Sequence, residues 1–362
     1  MYSALRSLLF LLPPSAAHSL AFAALAPVEE IGALRSLASA AWTPPRDERL
    51  VVRVMGLEAP NPLGIAAGFD KNARRPGALA ALGFGHLELG TVTARPQEPN
   101  PPPNLFRLEA DRALVNRLGF PNEGAERVAA RLRTARPAAR VPVGVSIGKS
   151  RVVPVEDLDA VVADHAASLA AVREAADFVV VNVSSPNTVG LRSMQRKEHA
   201  RVLLGELAAR AGGTPLLVKL APDLDDAQLE EVLAVAEEVK LAGVVATNTT
   251  VSRSGLATDA RVVASIGAGG LSGPPLRARA LEVVRRVRVR LGPAPVVIGV
   301  GGVEGPEDAM ALVRAGANLV QMYTGFIYGG PGAPGRIVRG MAAALDRDGV
   351  KSIAELVGVD VR

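Results

Sequence analysis

Eight short apolar runs rich in β-branched residues recur at 62–68, 86–92, 142–148, 178–184, 215–221, 243–249, 296–302 and 319–325, and most are followed by a stretch with helical apolar spacing. Strands that alternate with helices pair in parallel, because a parallel connection needs a crossover of a dozen or more residues. Eight such units over roughly 300 residues predict an α/β chain folded as a (β/α)8 barrel. A doubly wound open sheet is the alternative, but no G-x-G-x-x-G follows the first run. The longest gaps follow the second and sixth runs and hold a Pro/Asn-rich loop at 97–104 and a Gly-rich loop at 267–273. Long loops on a barrel usually belong to its site.

Composition fits this frame. A chain of 362 residues that is 49% hydrophobic but only 3% aromatic builds a large aliphatic core. One big barrel at 46–362 with an appendage at 1–45 suits it better than two equal domains. With no cysteine, disulfides, thiolate nucleophiles, iron–sulfur clusters and Cys-ligated zinc are excluded. His18, His86, His165 and His199 lie far apart without metal-ligand spacing, so they read as structural or surface residues and no metal is expected. The net charge of +5 is scattered along helix-like segments and not interleaved with aromatics. That favours a solvated surface or an anionic membrane face over nucleic acid.

The appendage is apolar. Residues 7–28 carry no formal charge except a possible one on His18, and Pro13-Pro14 interrupts them. Proline removes a helix donor and clashes with the preceding turn, which argues against one spanning helix. The expectation is two short helices at 2–12 and 15–25, an Ala/Leu-rich segment at 28–41, and together an in-plane membrane anchor. A secretory signal is the rival reading, since Arg6 precedes Leu8-Leu9-Phe10-Leu11-Leu12 and small residues follow at Ala21-Phe22-Ala23. Residues 42–49 read as a linker, and a short strand pair at 50–54 and 56–57 is placed to close the barrel bottom.

In a barrel the C-terminal strand ends share one face, so polar groups found there converge. The run at 178–181 ends in Asn182-Val183-Ser184-Ser185-Pro186-Asn187, which alone would pass for an Asx or Ser turn. Repetition decides otherwise. Other runs end in Ala67-Gly68-Phe69-Asp70-Lys71, Thr91, Ser146, Lys219, Thr247-Asn248-Thr249, Gly301-Gly302 and Tyr323-Thr324. Glycines near the last two strands, with Gly273, let backbone N–H groups approach a phosphate. Two lysines, many neutral donors and acceptors and no paired carboxylates disfavour glycoside or metal-assisted hydrolysis. They favour a planar, hydrogen-bonding, anionic ligand beside a phosphorylated cofactor.

From about 55 to 330 the chain resembles the membrane-associated, quinone-dependent class of dihydroorotate dehydrogenase, the appendage matching more loosely. The resemblance is carried by Asn61-Pro62-Leu63-Gly64 with Ala66-Ala67-Gly68-Phe69-Asp70-Lys71, by Gly90-Thr91-Val92-Thr93 and by Asn116-Arg117-Leu118-Gly119-Phe120. It continues through 182–187, Val218-Lys219-Leu220-Ala221-Pro222-Asp223, Ala246-Thr247-Asn248-Thr249-Thr250, Gly270-Leu271-Ser272-Gly273 and Gly299-Val300-Gly301-Gly302. The resemblance implies oxidation of dihydroorotate to orotate through bound FMN, reoxidised by a membrane quinone, in pyrimidine biosynthesis. It further implies a monomer, peripheral on the cytoplasmic face of the cell membrane.

By that similarity Ser185 is the base for the C5 proton, with Thr188 and a water as its relay. Lys219 places positive charge beside the flavin, and Lys71 sits between flavin and substrate. Asn116, Asn182, Asn187, Asn248 and Thr249, with Arg117, Leu118, Gly119 and Phe120, hold the substrate. Ala67, Gly68, Phe69, Asp70, Lys71, Thr91, Ser146, Asn182, Lys219, Thr247, Gly273, Gly302, Tyr323 and Thr324 hold the cofactor. His18, Arg107 and Tyr323 resemble residues of the quinone tunnel. Ser146 stands where many relatives carry asparagine, Asn104 replaces a common arginine, and Thr324 for serine keeps the hydroxyl. The rival functions are a Schiff-base aldolase using Lys219 and a non-catalytic lipid-binding protein.

Overall fold

The computed structural model describes residues 2–361, apart from the side chain of Ser3; Met1 and Arg362, the outer limits of the expected 1–45 and 46–362 segments, lie outside them. Four helices come first: α1 (Tyr2–Phe10), α2 (Pro14–Ala24), α3 (Ala26–Glu30) and α4 (Gly32–Trp42). The break between α1 and α2 falls at the paired prolines, and among the described residues no helix is long and apolar enough to cross a membrane. An antiparallel hairpin follows, β1 (Val52–Val54) with β2 (Leu57–Ala59), turning through Met55 and Gly56 at φ 55° and 71°. Two consecutive positive φ values match the right-handed twist of the flanking strands.

The barrel opens with β3 (Leu63–Ile65) and β4 (His86–Val92). After β4 the chain makes a second hairpin, β5 (Leu105–Leu108) with β6 (Ala113–Asn116), before returning to the barrel as β7 (Val143–Ile147), β8 (Phe178–Asn182), β9 (Leu216–Leu220) and β10 (Gly243–Ala246). The Gly-rich segment expected as a loop contains β11 (Gly270–Ser272), which pairs antiparallel with β6 and completes a three-stranded sheet. β12 (Val296–Val300) and β13 (Leu319–Met322) finish the barrel. The eight parallel strands close in the order β10, β12, β13, β3, β4, β7, β8, β9, which rules out the open sheet.

Packing explains the strand glycines. A Cβ on Gly144 would lie 2.1 Å from the ring of Phe178, its register partner on β8, and one on Gly64 would lie 2.3 Å from the ring of His86. Large side chains thus fill the interior opposite missing ones, as close packing requires. Outside, amphipathic helices cover the strands; Asp225 caps the helix Asp226–Glu238 in a reciprocal box with Gln228.

The N-terminal helices are docked at defined points. Tyr2 Oη donates to the carbonyl of Ile327 (2.7 Å), and Glu29 Oε2 accepts from the N–H of Ala78 (2.7 Å). Arg107 on β5 donates to the carbonyls of Phe10 (3.0 Å) and Leu12 (2.9 Å), with its guanidinium 4.4 Å from the Phe10 ring centre. An arginine at a helix C-terminus satisfies carbonyls that have no partner in the helix.

Candidate active site

The C-terminal mouth of the barrel holds a cavity of about 1100 Å³, part of it open to solvent. Segments far apart in sequence meet on its wall. From β3 and its exit come Ala67, Gly68 and Lys71, from β4 Thr91, from β8 Asn182, Ser185 and Asn187, and from β9 Lys219. Thr247, Asn248 and Thr249 follow β10; Gly301 and Gly302 follow β12; Tyr323 and Thr324 follow β13. The three-stranded sheet and its flanks add Asn116, Leu118, Gly119, Phe120 and Gly273.

The amides form two hydrogen-bonded groups along the wall. Asn182 Nδ2 donates to Thr91 Oγ1 (3.0 Å), while Asn182 Oδ1 accepts from Asn248 Nδ2 (3.2 Å) and Ser184 Oγ (3.1 Å). Asn187 Nδ2 donates to Asn116 Oδ1 (3.0 Å), joining the strand-end loop to the small sheet. Ser185 is nearly buried and its Oγ accepts from the N–H of Asn187 (3.2 Å). Opposite, Thr324 Oγ1 lies 2.8 Å from Ser272 Oγ, beside Gly273 and Gly302 at φ 107° and 70°. A Cβ on Gly302 would press against Arg277 at 2.6 Å, so only glycine permits this bare-backbone corner.

Two ammonium groups stand in the cavity. Lys71 Nζ donates to the carbonyl of Gly68 (2.6 Å), and burial draws its pKa down to about 8, the neighbouring Asp70 opposing that only in part. Lys219 is almost wholly buried and meets Glu88 Oε1 at 3.4 Å.

Several expected residues lie just behind the wall. Asp70 points away and accepts from the backbone N–H groups of Asn72, Arg74 and Arg75. Ser146 is fully buried with its Oγ 2.9 Å from Thr91 Oγ1, so it braces Thr91 and does not border the cavity. The Arg117 side chain donates to the carbonyls of Pro103, Ile266 and Ala268, clamping the two long loops together while its neighbours 118–120 face inward. Asn104 donates to the carbonyl of Asn100 (2.8 Å), within the same loop. Thr188 lines a separate depression that Ser185 also borders.

Of the tunnel residues, Tyr323 reaches the cavity wall. Phe69 stands next to it at 6.3 Å between ring centres, His18 packs edge-on to Phe69 at 5.2 Å, and Phe22 stacks on His18 at 5.8 Å. A line of rings therefore runs from α2 to the cavity. Burial, helped by the nearby Lys71 charge, lowers the His18 pKa to about 4, so its ring is neutral. Arg107 sits instead at the end of α1.

The sequence reading passed over three residues that shape the site. Arg192 donates to the carbonyls of Ser184 (3.0 Å) and Thr249 (3.1 Å) and pairs with Asp223 at 2.8 Å, fixing the loop that carries Ser185. Glu88 and Gln321 lie inside the barrel, Gln321 on the cavity wall. A charge or amide within an otherwise apolar run was the available signal for both.

The closed barrel, with amides, hydroxyls, ammonium groups and a glycine corner gathered at its C-terminal mouth, is the architecture of a barrel enzyme. Residues 49–345 match the family model described as Dihydroorotate dehydrogenase. The chain is 59% identical over 324 residues to the dihydroorotate dehydrogenase (quinone) of Thermobifida fusca strain YX, covering 88% of this chain and 85% of that one. It is 48% identical over 363 residues to the protein of the same name from Mycolicibacterium gilvum strain PYR-GCK, covering 100% of both. Among solved structures, DHODH from Eimeria tenella in complex with ferulenol superposes with a TM-score of 0.83 at 32% identity, covering 96% of each chain. The chain belongs to the dihydroorotate dehydrogenase family, in its quinone-dependent class.

Proposed function

We propose that this chain oxidises dihydroorotate to orotate with FMN as its bound cofactor and a membrane quinone as electron acceptor, supplying orotate for pyrimidine synthesis. The observation that carries the reading is the meeting of Lys71, Lys219, Asn116, Asn182, Asn248 and Ser185 on one cavity. The residues fit the cofactor. The Gly273 and Gly302 corner with Thr324 suits a phosphate, and Gly68, Thr91, Asn182, Thr247 and Lys219 offer the donors that a flavin edge accepts from. Gln321 adds a buried carboxamide on the wall with both ends lacking a protein partner. FMN, when bound, supplies the two-electron acceptor that takes the C6 hydride and hands electrons to quinone.

The chain's own groups do the rest. Asn116, Asn187, Asn248 and Thr249 present donors and acceptors to the pyrimidine imide edge and carboxylate, and Lys71 adds charge on the same side. Ser185 takes the C5 proton. A serine hydroxyl is a weak base, so its own proton must leave as the new one arrives. Ser185 borders both the cavity and the depression lined by Thr188, which gives that proton a side exit. The apolar strip 118–120 excludes water from the substrate face. Purified protein is expected to be yellow, to bleach with anaerobic dihydroorotate and to recover colour with quinone; a colourless protein that refuses FMN overturns the reading. An aldolase would instead be trapped by borohydride with its substrate.

Lys71 fixes a pH dependence. Its ammonium holds charge below about 8 and loses it above. Orotate affinity of the oxidised protein is therefore expected to weaken toward roughly tenfold per pH unit above that point, one proton being linked to binding. Lys71→Met should flatten the profile. A titration of flavin absorbance with orotate from pH 6.5 to 9.5 decides it, and an unchanged slope in the variant removes Lys71 from carboxylate binding.

The N-terminal helices form the quinone entry and the membrane contact in this reading, with 1–45 as a distinct functional segment. Among the described residues, eight of the fourteen exposed large apolar side chains fall here: Leu5, Leu8, Leu11, Leu12, Leu20, Ile31, Leu34 and Leu37. Such a concentration on short helices fits an in-plane anchor on the cytoplasmic face. The reading takes the chain to act as a monomer. Removing 1–42 is expected to release the protein from sedimenting vesicles; co-sedimentation of the truncated form would refute the anchor.

A further inference from the structure

Glu88 lies on β4 and Lys219 on β9, strands separated in the barrel by β7 and β8, so their 3.4 Å contact crosses the interior. Strand side chains alternate in direction, which turns His86 inward along with Glu88. Gln321 and Gly64 are register partners, as are Gly64 and His86, so these positions share one layer at the base of the cavity, where Gln321 reaches the wall and His86 and Glu88 stay behind it. All three polar side chains are essentially unexposed. Among the described residues, five of their atoms, Glu88 Oε2, both ring nitrogens of His86 and both amide atoms of Gln321, have no hydrogen-bond partner. A barrel interior of aliphatic layers has no packing reason to hold a carboxylate here, since burying one costs free energy unless it answers a charge. The one ammonium in reach is Lys219.

We propose that Glu88 is the positioning residue of the active site: its carboxylate, reached from below the cavity floor, keeps Lys219 both charged and aimed at the cofactor edge. The inference rests on the flavin reading above. Lys219 borders the cavity while its countercharge does not, so the pair stands half behind the wall. Such an arrangement supplies a cation to the cavity without presenting a carboxylate that would repel an anionic ligand. The register partners of Lys219 are neutral, Asn182 on β8 and Val245 on β10, and so is Thr247 on the cavity wall after β10; Lys71 is the other lysine of that wall. Burial keeps His86 neutral. Glu88 alone supplies negative charge.

The test is the Glu88→Gln holoprotein, which keeps the shape and removes the charge. Sulfite affinity of bound flavin, read from bleaching of its absorbance, responds to positive charge beside the ring without any turnover. The variant is expected to bind FMN but to lose about tenfold or more in sulfite affinity, because Lys219 loses the carboxylate that answers its charge and aims it at the ring. The affinities are compared from pH 6 to 9, after correction for sulfite's own ionisation. Lys71 contributes equally to wild type and variant, so it cancels in the comparison. Glu88→Asp should restore part of the affinity, and Glu88→Gln combined with Lys219→Met should cost no more than Lys219→Met alone. Wild-type sulfite affinity across the pH range in a yellow Glu88→Gln protein, or additive losses in the double variant, would overturn the proposal. Wild-type protein that takes up no FMN would overturn the flavin reading and this inference with it.

Discussion

Ser185→Ala is expected to slow anaerobic reduction of the bound flavin by dihydroorotate by roughly 10²- to 10⁴-fold, the usual contribution of a positioned proton acceptor. The yellow colour should persist. Ser185 Oγ accepts only from the N–H of Asn187 and takes no part in the Gly273, Gly302 and Thr324 corner, so cofactor retention does not depend on it. Losing that one acceptor costs about 1 kcal/mol of stability, far too little to unfold the chain. The neighbouring Thr188→Ala should slow reduction less, since water can still carry the proton out through the depression that both residues border. Stopped-flow absorbance with saturating dihydroorotate separates these cases. Reduction at the wild-type rate in Ser185→Ala would strip Ser185 of its role.

The barrel was legible because its signal is repeated eight times, and each apolar run contains an observed strand. The mouth was legible for the same reason: in parallel strands the direction of every polar end is fixed by topology. What escaped was anything decided by side-chain direction within a motif. Phe69 and Asp70 stand between cavity residues in sequence, yet one packs on the rings of His18 and Tyr323 and the other caps a turn. Arg117 sits beside the apolar strip but reaches across to Ile266 and Ala268. The three-stranded sheet was missed because β11 is three residues long and embedded in glycines, where strand propensity is weak and pairing with β6 is set by tertiary contact. Glu88 was visible as a lone charge in an apolar strand, but its partner lies 131 residues away and only barrel closure joins them.

Acid should destabilise this protein well before its carboxylates titrate. His86 is fully buried with neither ring nitrogen bonded to protein, and burial pushes its pKa down to about 3. In the unfolded chain the same ring titrates near 6.5. Below that pH the unfolded state binds a proton that the folded state refuses, so stability present at pH 7 is lost as pH falls. For His86 alone the loss by pH 5 is about 2 kcal/mol, a factor of about thirty in the folded-to-unfolded ratio. His165, buried with its Nδ1 2.8 Å from the Val161 carbonyl, is shifted down chiefly by burial and adds in the same direction. Asp70 and Glu29 oppose the trend, because burial raises their pKa values and protonation then favours the fold. Comparison with His86→Gln removes these shared contributions, since the glutamine carries no proton equilibrium. Urea unfolding of both proteins at pH 7.0, 6.0 and 5.0 should show the wild type losing about 2 kcal/mol more than the variant. Parallel losses in the two would mean that His86 is protonated in the fold, through a donor or acceptor reaching it inside the barrel.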